Sequence, residues 1–311
     1  MGRTTAFGSG LFLKREDEHE LGAFKWRGAL AVLDALRPSI VVTASTGNHG
    51  AATAWAAWRA GVRAVVFVPE GASASKVALI EAQGAGLRYV GADVDEAKDA
   101  ARAYAAQEGA FFFEDGAEPA QFEGYEAIGR ELLEDVPEPG SVVVPVGNGA
   151  LAIGVFRVVA AGAPEALRVA VAAAEAPAMW ESYAAGKAVD SERCATFADG
   201  LAVRVSIPAA VEELNALVQR FELASEAELE EAVRAYAREG IRVEGAAAAP
   251  LALALKYGHG DRPPTFVESA SSSNDRGLSP WQSPLPSPVV LIVTGRNIDD
   301  ALYNRILTGG P

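Results

Sequence analysis

Short runs rich in β-branched and apolar residues alternate with longer alanine-rich stretches along this chain. The runs at residues 40–42, 64–68, 87–90, 141–146, 167–172 and 289–293 predict strands, because branched side chains fit a pleated surface. Residues 11–14, Leu-Phe-Leu-Lys, are strand-like as well. Amphipathic stretches at 51–60, 75–83, 94–107, 123–134 and 226–239 predict helices. This alternation predicts an α/β fold with mostly parallel sheet. No repeat of solenoid period is present. One segment breaks the pattern: residues 268–288 are rich in serine and proline and predict an exposed loop insertion, with Trp281 inside it.

Composition narrows the function classes. The 311 residues are enough for one large or two modest domains. A formal net charge of -14 repels phosphate backbones, so no nucleic-acid partner is expected. Any anionic ligand must therefore be held by local geometry against the overall field. A single cysteine, Cys194, excludes a disulfide framework and a multi-cysteine metal site. No long uncharged apolar span marks a signal or membrane segment, so a cytoplasmic enzyme with no membrane partner is expected.

Four places carry candidate chemistry. The first is Gly22-Ala23-Phe24-Lys25-Trp26-Arg27-Gly28, after the strand-like 11–14 run. A lysine that bonds a carbonyl must deprotonate readily, and the apolar walls offered by Phe24 and Trp26 disfavour its ammonium form. Alone, this also fits an ordinary surface lysine lying along aromatics. The second is Ser45-Thr46-Gly47-Asn48-His49-Gly50, between a strand and an alanine-rich helix. Backbone N–H groups at a helix start attract carboxylate or phosphate. Plain N-capping needs one polar residue here, whereas several crowd the turn.

The third is Gly147-Asn148-Gly149-Ala150-Leu151, a second strand–glycine turn–helix and a second anion cradle. Gly147-x-Gly149-x-x-Ala152 with Glu175 also satisfies the loose dinucleotide-binding fingerprint, which keeps a nicotinamide oxidoreductase open at this point. The fourth is Thr294, after the apolar run 289–293, where ligands of open α/β sheets bind. An ordinary polar strand end explains it equally well.

Taken together and in this order, the four motifs resemble the serine/threonine dehydratase family of pyridoxal-phosphate (PLP) enzymes, of the tryptophan-synthase-β fold type. Phe197-Ala198-Asp199-Gly200-Leu201-Ala202-Val203 and Val243-Glu244-Gly245-Ala246 add to the match, which runs from about Arg3 to about Asp299. The resemblance implies that Lys25 carries the cofactor and moves the substrate's α-proton. It implies that Ser45, Thr46, Asn48 and His49 hold the substrate carboxylate, with Asn48 also reaching the cofactor. Gly147, Asn148, Gly149, Ala150 and Leu151 would grip the phosphate, Thr294 the ring nitrogen, and Gly200 and Glu244 would line the ring. Relatives that bind a divalent metal place acids like Glu175 and Glu181.

The departures lie in Ala23 and Leu21, where many members have serine and threonine, and in Asn148 and Ala150 of the phosphate loop. The loop's Pro145-Val146-Gly147-Asn148-Gly149 is similar to that of threonine synthases, whereas Thr294-Gly295-Arg296-Asn297 is dehydratase-like. The chain starts almost at the family's Thr-Pro entry segment, here Arg3-Thr4-Thr5, so the usual leading helix is not expected, and no regulatory module is expected after Asn297. The resemblance implies two domains, 1–28 with 119–311 and 29–118, and a homo-oligomer, most simply a dimer. It implies elimination of water from serine, threonine or a related β-hydroxy amino acid. A replacement enzyme, a racemase using the Thr46 hydroxyl and a silent PLP-binding protein share the same motifs.

Overall fold

The strand-like runs become the strands of two separate sheets in a computed structural model, which describes residues 2–8, 10–72, 74–259 and 283–309. The chain opens with β1 (Arg3–Gly8) and β2 (Leu11–Arg15). Next come α1 (Trp26–Leu36), β3 (Ile40–Ala44), α2 (Asn48–Ala60), β4 (Arg63–Val68), α3 (Ala74–Glu81), β5 (Gly86–Tyr89), α4 (Val94–Glu108), β6 (Phe111–Phe112) and α5 (Pro119–Asp135). The remainder holds β7 (Ser141–Pro145), α6 (Ala150–Gly162), β8 (Leu167–Ala173), α7 (Ala178–Ala185), α8 (Pro208–Leu217), β9 (Arg220–Ala224), α9 (Glu226–Arg238), α10 (Gly245–Tyr257), β10 (Val289–Val293) and α11 (Asp300–Thr308).

Two units divide the chain: Met1–Glu18 with Glu126–Pro311, and His19–Tyr125. The dividing points fall before the expected 28/29 boundary and after 118/119, so Lys25 belongs to the His19–Tyr125 unit. That unit holds a four-stranded sheet in the order β5-β4-β3-β6, parallel throughout. The other unit holds six strands in the order β1-β2-β10-β7-β8-β9. There only β1 and β2 run antiparallel. They are joined by a tight turn around Gly10, too short for the crossover that a parallel pair needs.

Parallel strands covered on both faces read as unbroken apolar runs, and β10 is buried from Val289 to Val293. Alanine serves close helix packing. Residues 245–254 of α10 are all buried, and the small Gly245 and Ala246–Ala249 let the helix lie close on β7, β8, β9 and β10. In the other unit α2 buries Ala51, Ala52, Ala54, Ala56 and Ala57 in the same way. Helix α2 begins at Asn48, ahead of the expected 51, because its polar first turn is helical too.

Of the Ser/Pro-rich stretch, residues 268–282 lie outside the described residues, Trp281 among them. Its last residues correct the expectation of a solvated loop. Leu285 is fully buried, and the Pro286 carbonyl accepts the Ser141 hydroxyl at 2.8 Å. No described helix is long and apolar enough to cross a membrane.

Candidate active site

Lys25 stands immediately before the first turn of α1. A side chain at Gly28, one turn on, would strike the Tyr125 ring and hydroxyl at 2.6 Å. Glycine there leaves room for the Tyr125 ring against the start of α1, and Phe24 lies 5.0 Å from the same ring between centroids. The aromatic walls expected around the lysine form only in part. Phe24 lies 5.4 Å from Nζ, but Trp26 stacks on His19 at 4.6 Å. What meets the ammonium is a carboxylate: Nζ of Lys25 donates to Oδ2 of Asp115 in an ion pair.

Asp115 follows β6 and is held from several sides. Its Oδ1 accepts from Nε2 of Gln121 at 2.7 Å and lies 3.5 Å from Nδ1 of His49. Gln121 is pinned in turn, its Oε1 accepting the Gly116 N–H at 2.7 Å. The same Nε2 reaches the Tyr125 hydroxyl at 3.1 Å. Burial works against the Asp115 charge, but the Lys25 ammonium, His49 and the Gln121 hydrogen bond outweigh it. Its carboxyl stays well below the ordinary range. Burial lowers the His49 pKa, and the pull of Asp115 restores only part of it, so the imidazole is neutral at pH 7. Burial and the neighbouring Asp115 raise the Tyr125 pKa, which keeps the phenol neutral.

The Ser45–Asn48 turn joins β3 to α2. Ser45 donates its N–H to the Phe67 carbonyl at 3.1 Å, and Gly47 donates to the Ser45 hydroxyl at 3.1 Å. No side chain caps α2 at Gly47, and a side chain there would meet nothing within 4 Å. The turn is therefore open above, with Ser45, Thr46 and Asn48 half-buried around it. His49 is placed differently. Its ring is buried beneath the turn, with Nε2 3.1 Å from the Thr43 hydroxyl and Nδ1 facing Asp115.

In the other unit four glycine-lined segments come together. Gly147 follows β7, and a side chain on it would lie 2.3 Å from the Gly200 carbonyl, so two backbones approach as closely as glycine permits. Gly149 caps α6 at φ 95, a conformation natural to glycine, and has no side chain of its own to close the helix start. Asn148 accepts the Ala150 N–H at 3.2 Å, and Leu151 is buried behind the loop. Glu244 caps α10 with its carboxylate against Gly295, where an added Cβ would meet Oε1 at 2.7 Å. Thr294, at the end of β10, is 2% exposed, and its hydroxyl has no hydrogen-bond partner among the described residues.

These features fit PLP. A buried hydroxyl without a partner is costly, and a ring nitrogen would satisfy it. A helix start behind a glycine loop, with glycine at the cap, suits a phosphate dianion. The metal expectation finds no such support. Glu181 lies 3.5 Å from Arg193, the Glu175 carbonyl accepts the Ala195 N–H, and no group of three or more possible ligands forms among the described residues. Asp115, Gln121 and Tyr125 were not legible as site residues. The available signal was the place of Asp115 just past the Phe111-Phe112-Phe113 run, at the carboxyl edge of a parallel sheet.

Residues 3–265 match the family model described as pyridoxal-phosphate dependent enzyme. An L-threonine ammonia-lyase of Geobacter sulfurreducens is 34% identical over 251 residues, which are 79% of this chain. The chain spans 62% of that relative's length. A threonine deaminase of T.th. superposes with a TM-score of 0.81 at 30% identity, over 93% of this chain and 88% of that one. Maize serine racemase does so with a TM-score of 0.83 at 26% identity, over 99% and 92%. The dinucleotide reading of Gly147-x-Gly149-x-x-Ala152 gives way to these matches. Its glycines serve a family in which PLP is the cofactor, and the chain belongs to the pyridoxal-phosphate-dependent enzymes, with the tryptophan-synthase-β-like fold.

Proposed function

We propose that this protein is a PLP-dependent ammonia-lyase that removes water from L-threonine, L-serine or a related β-hydroxy amino acid, giving a 2-oxo acid and ammonia. The observation that carries the reading is Thr294: a neutral, buried hydroxyl at the end of β10 with no partner among the described residues. A carboxylate there would form a charge-assisted bond and hold a proton on the ring nitrogen. A hydroxyl does so weakly, which favours prompt loss of a β-leaving group over long-lived charge on the α-carbon. The names of the similar Geobacter and T.th. proteins point the same way.

Bound PLP supplies an electron sink for the pair left when the α-proton departs. The chain's own residues do the rest. Lys25 carries the cofactor and then takes the α-proton at Nζ. Ser45, Thr46, Asn48 and the N–H groups opening α2 orient the substrate carboxylate, a positioning effect that aligns the Cα–H bond. The N–H groups of the Gly147–Leu151 turn hold the phosphate, Asn148 shaping the loop through Ala150. Gly200 and Glu244 lie beside the ring site. His49 supports the Ser45 turn from below. The reading carries with it a cytoplasmic homodimer, checked by sedimentation of the purified protein.

The test is the PLP-loaded enzyme with a panel of amino acids, assayed for 2-oxo acid, ammonia and optical purity. Ammonia from threonine or serine with no second substrate, lost in Lys25→Ala, supports the lyase. Racemised serine without ammonia would instead favour the reading in which Thr46, half-buried in its open turn, serves the opposite face. Product formed only from O-phosphohomoserine would overturn the lyase in favour of a replacement enzyme.

A further inference from the structure

The carboxylate that meets Lys25 is braced from behind. Asp115 gives its two oxygens to different tasks: Oδ1 takes the Gln121 amide at 2.7 Å and faces His49, while Oδ2 is left for the lysine. Gln121 and Tyr125 are fully buried, and Gln121 is fixed by the Gly116 N–H. The groups come from the start of α1, the start of α2, the residues after β6 and the start of α5, so the arrangement is made by the fold. Lys25 and Asp115 are only 17% and 27% exposed, shielded enough for their charges to matter to each other.

We propose that Asp115 is a positioning residue for Lys25, holding its ammonium wherever the lysine is free of cofactor and so fixing where Nζ lies while it carries a proton. The inference rests on Lys25 being the cofactor lysine and deepens that reading. When Nζ takes the α-proton, an N–H bond forms as Cα–H breaks. The electron pair left behind makes the Cα–Cβ double bond as the β-oxygen leaves. The new ammonium faces Asp115 until its proton passes to the departing oxygen or to water, which restores the amine with no oxidant or reductant. The depressed pKa of Asp115 keeps it an anion throughout, and the neutral His49 beside it adds no competing cation. Gln121 and Tyr125 are uncharged, and among the described residues it is the Lys25 ammonium that meets Oδ2.

The experiment follows covalent attachment of PLP to cofactor-free protein, trapped with borohydride and read by mass, together with kcat and KM. Asp115→Asn releases the ammonium, so attachment should quicken roughly three- to tenfold, while kcat falls by a similar factor and KM holds. Asp115→Glu keeps the charge and should return attachment toward wild type. Those opposite movements are what a merely structural residue would not give. Attachment in Asp115→Asn that matches wild type, or slows along with kcat, would overturn the proposal. Should that variant not fold, Gln121→Met decides, since it unbraces Oδ1 and should quicken attachment; an unchanged rate there also overturns it. Attachment needs no amino acid, so a wrong substrate class leaves this result standing. Covalent uptake by Lys25→Ala as fast as by wild type would sink the lysine assignment and Asp115 with it.

Discussion

The two strand-to-helix turns, one opening α2 and the other α6, look alike in sequence and are built in opposite ways. Both put glycine at the cap, so neither cap residue has a side chain to close its helix. At α6 the glycines are there because nothing else fits: Gly147 lies under the Gly200 carbonyl, and Gly149 has φ 95 with Leu214 pressed against it. At α2 the space beside Gly47 is empty, and hydroxyl and amide side chains surround it. The first is a backbone cradle whose shape is set by packing, suited to a ligand that stays. The second is open and lined by side chains, suited to a ligand that comes and goes. Two glycine turns alike in sequence thus differ in what surrounds them, backbone packing at α6 and open, polar space at α2.

Substitution at the closed turn should produce the largest effect. Gly147→Ala forces a methyl group into a backbone carbonyl, and overpacking of that kind costs about 1–3 kcal/mol or more. The variant should lose PLP on gel filtration and melt earlier; retention like that of wild type would show that the cradle is not where the phosphate sits. Asn48→Ala at the open turn should leave PLP bound and cut kcat/KM by roughly one to two powers of ten, the cost of a hydrogen bond to a charged group. Unchanged kinetics would remove that turn from the substrate site.

A smaller effect concerns acid. Burial holds the His49 pKa below 6.5, so the unfolded chain takes a proton that the folded one refuses. His49 thus contributes stability above its ordinary pKa, and that contribution is lost as pH falls. Asp115 acts in the same direction at lower pH, its depressed carboxyl holding its contribution until the medium is far more acidic. The melting temperature of wild type should fall between pH 7 and pH 5, and His49→Gln should show a flatter slope from a lower starting point. An equal slope would mean that the buried imidazole does not drive the decline. Gly47→Ala should change least, within about 0.5 kcal/mol in melting and with PLP retained, because its new methyl meets nothing. A large loss there would erase the contrast between the turns.

Most of the strands were legible because their signal is local. Valine-rich runs of parallel sheet, such as 141–146 and 289–293, must be apolar on both faces, whatever their partners. Strand β9, Arg220–Ala224, was not legible, since it carries a buried Arg220 paired with Glu222 at 2.8 Å and so resembles an exposed segment. Helix α10 hid for the converse reason. Its Gly-Ala-Ala-Ala-Ala-Pro run has no polar face to reveal a period, because it is buried all round. Burial of Leu285 inside a Ser/Pro-rich stretch likewise had no compositional trace.

By itself the sequence determined the parallel α/β class, the glycine turns that follow β3 and β7, the lysine motif before α1 and the hydroxyl closing β10. Each is a short stretch whose residue types suffice, since hydrophobic period, turn chemistry and backbone freedom act over a few neighbours. Only the tertiary structure decided that Asp115 meets Lys25 across 90 residues of chain. It also turned His49 below its loop, set the carboxylate of Glu244 against Gly295 and left the Thr294 hydroxyl buried with no partner among the described residues. Those contacts depend on the order in which strands pair and on which side chains the resulting sheets bury, and no local pattern encodes either.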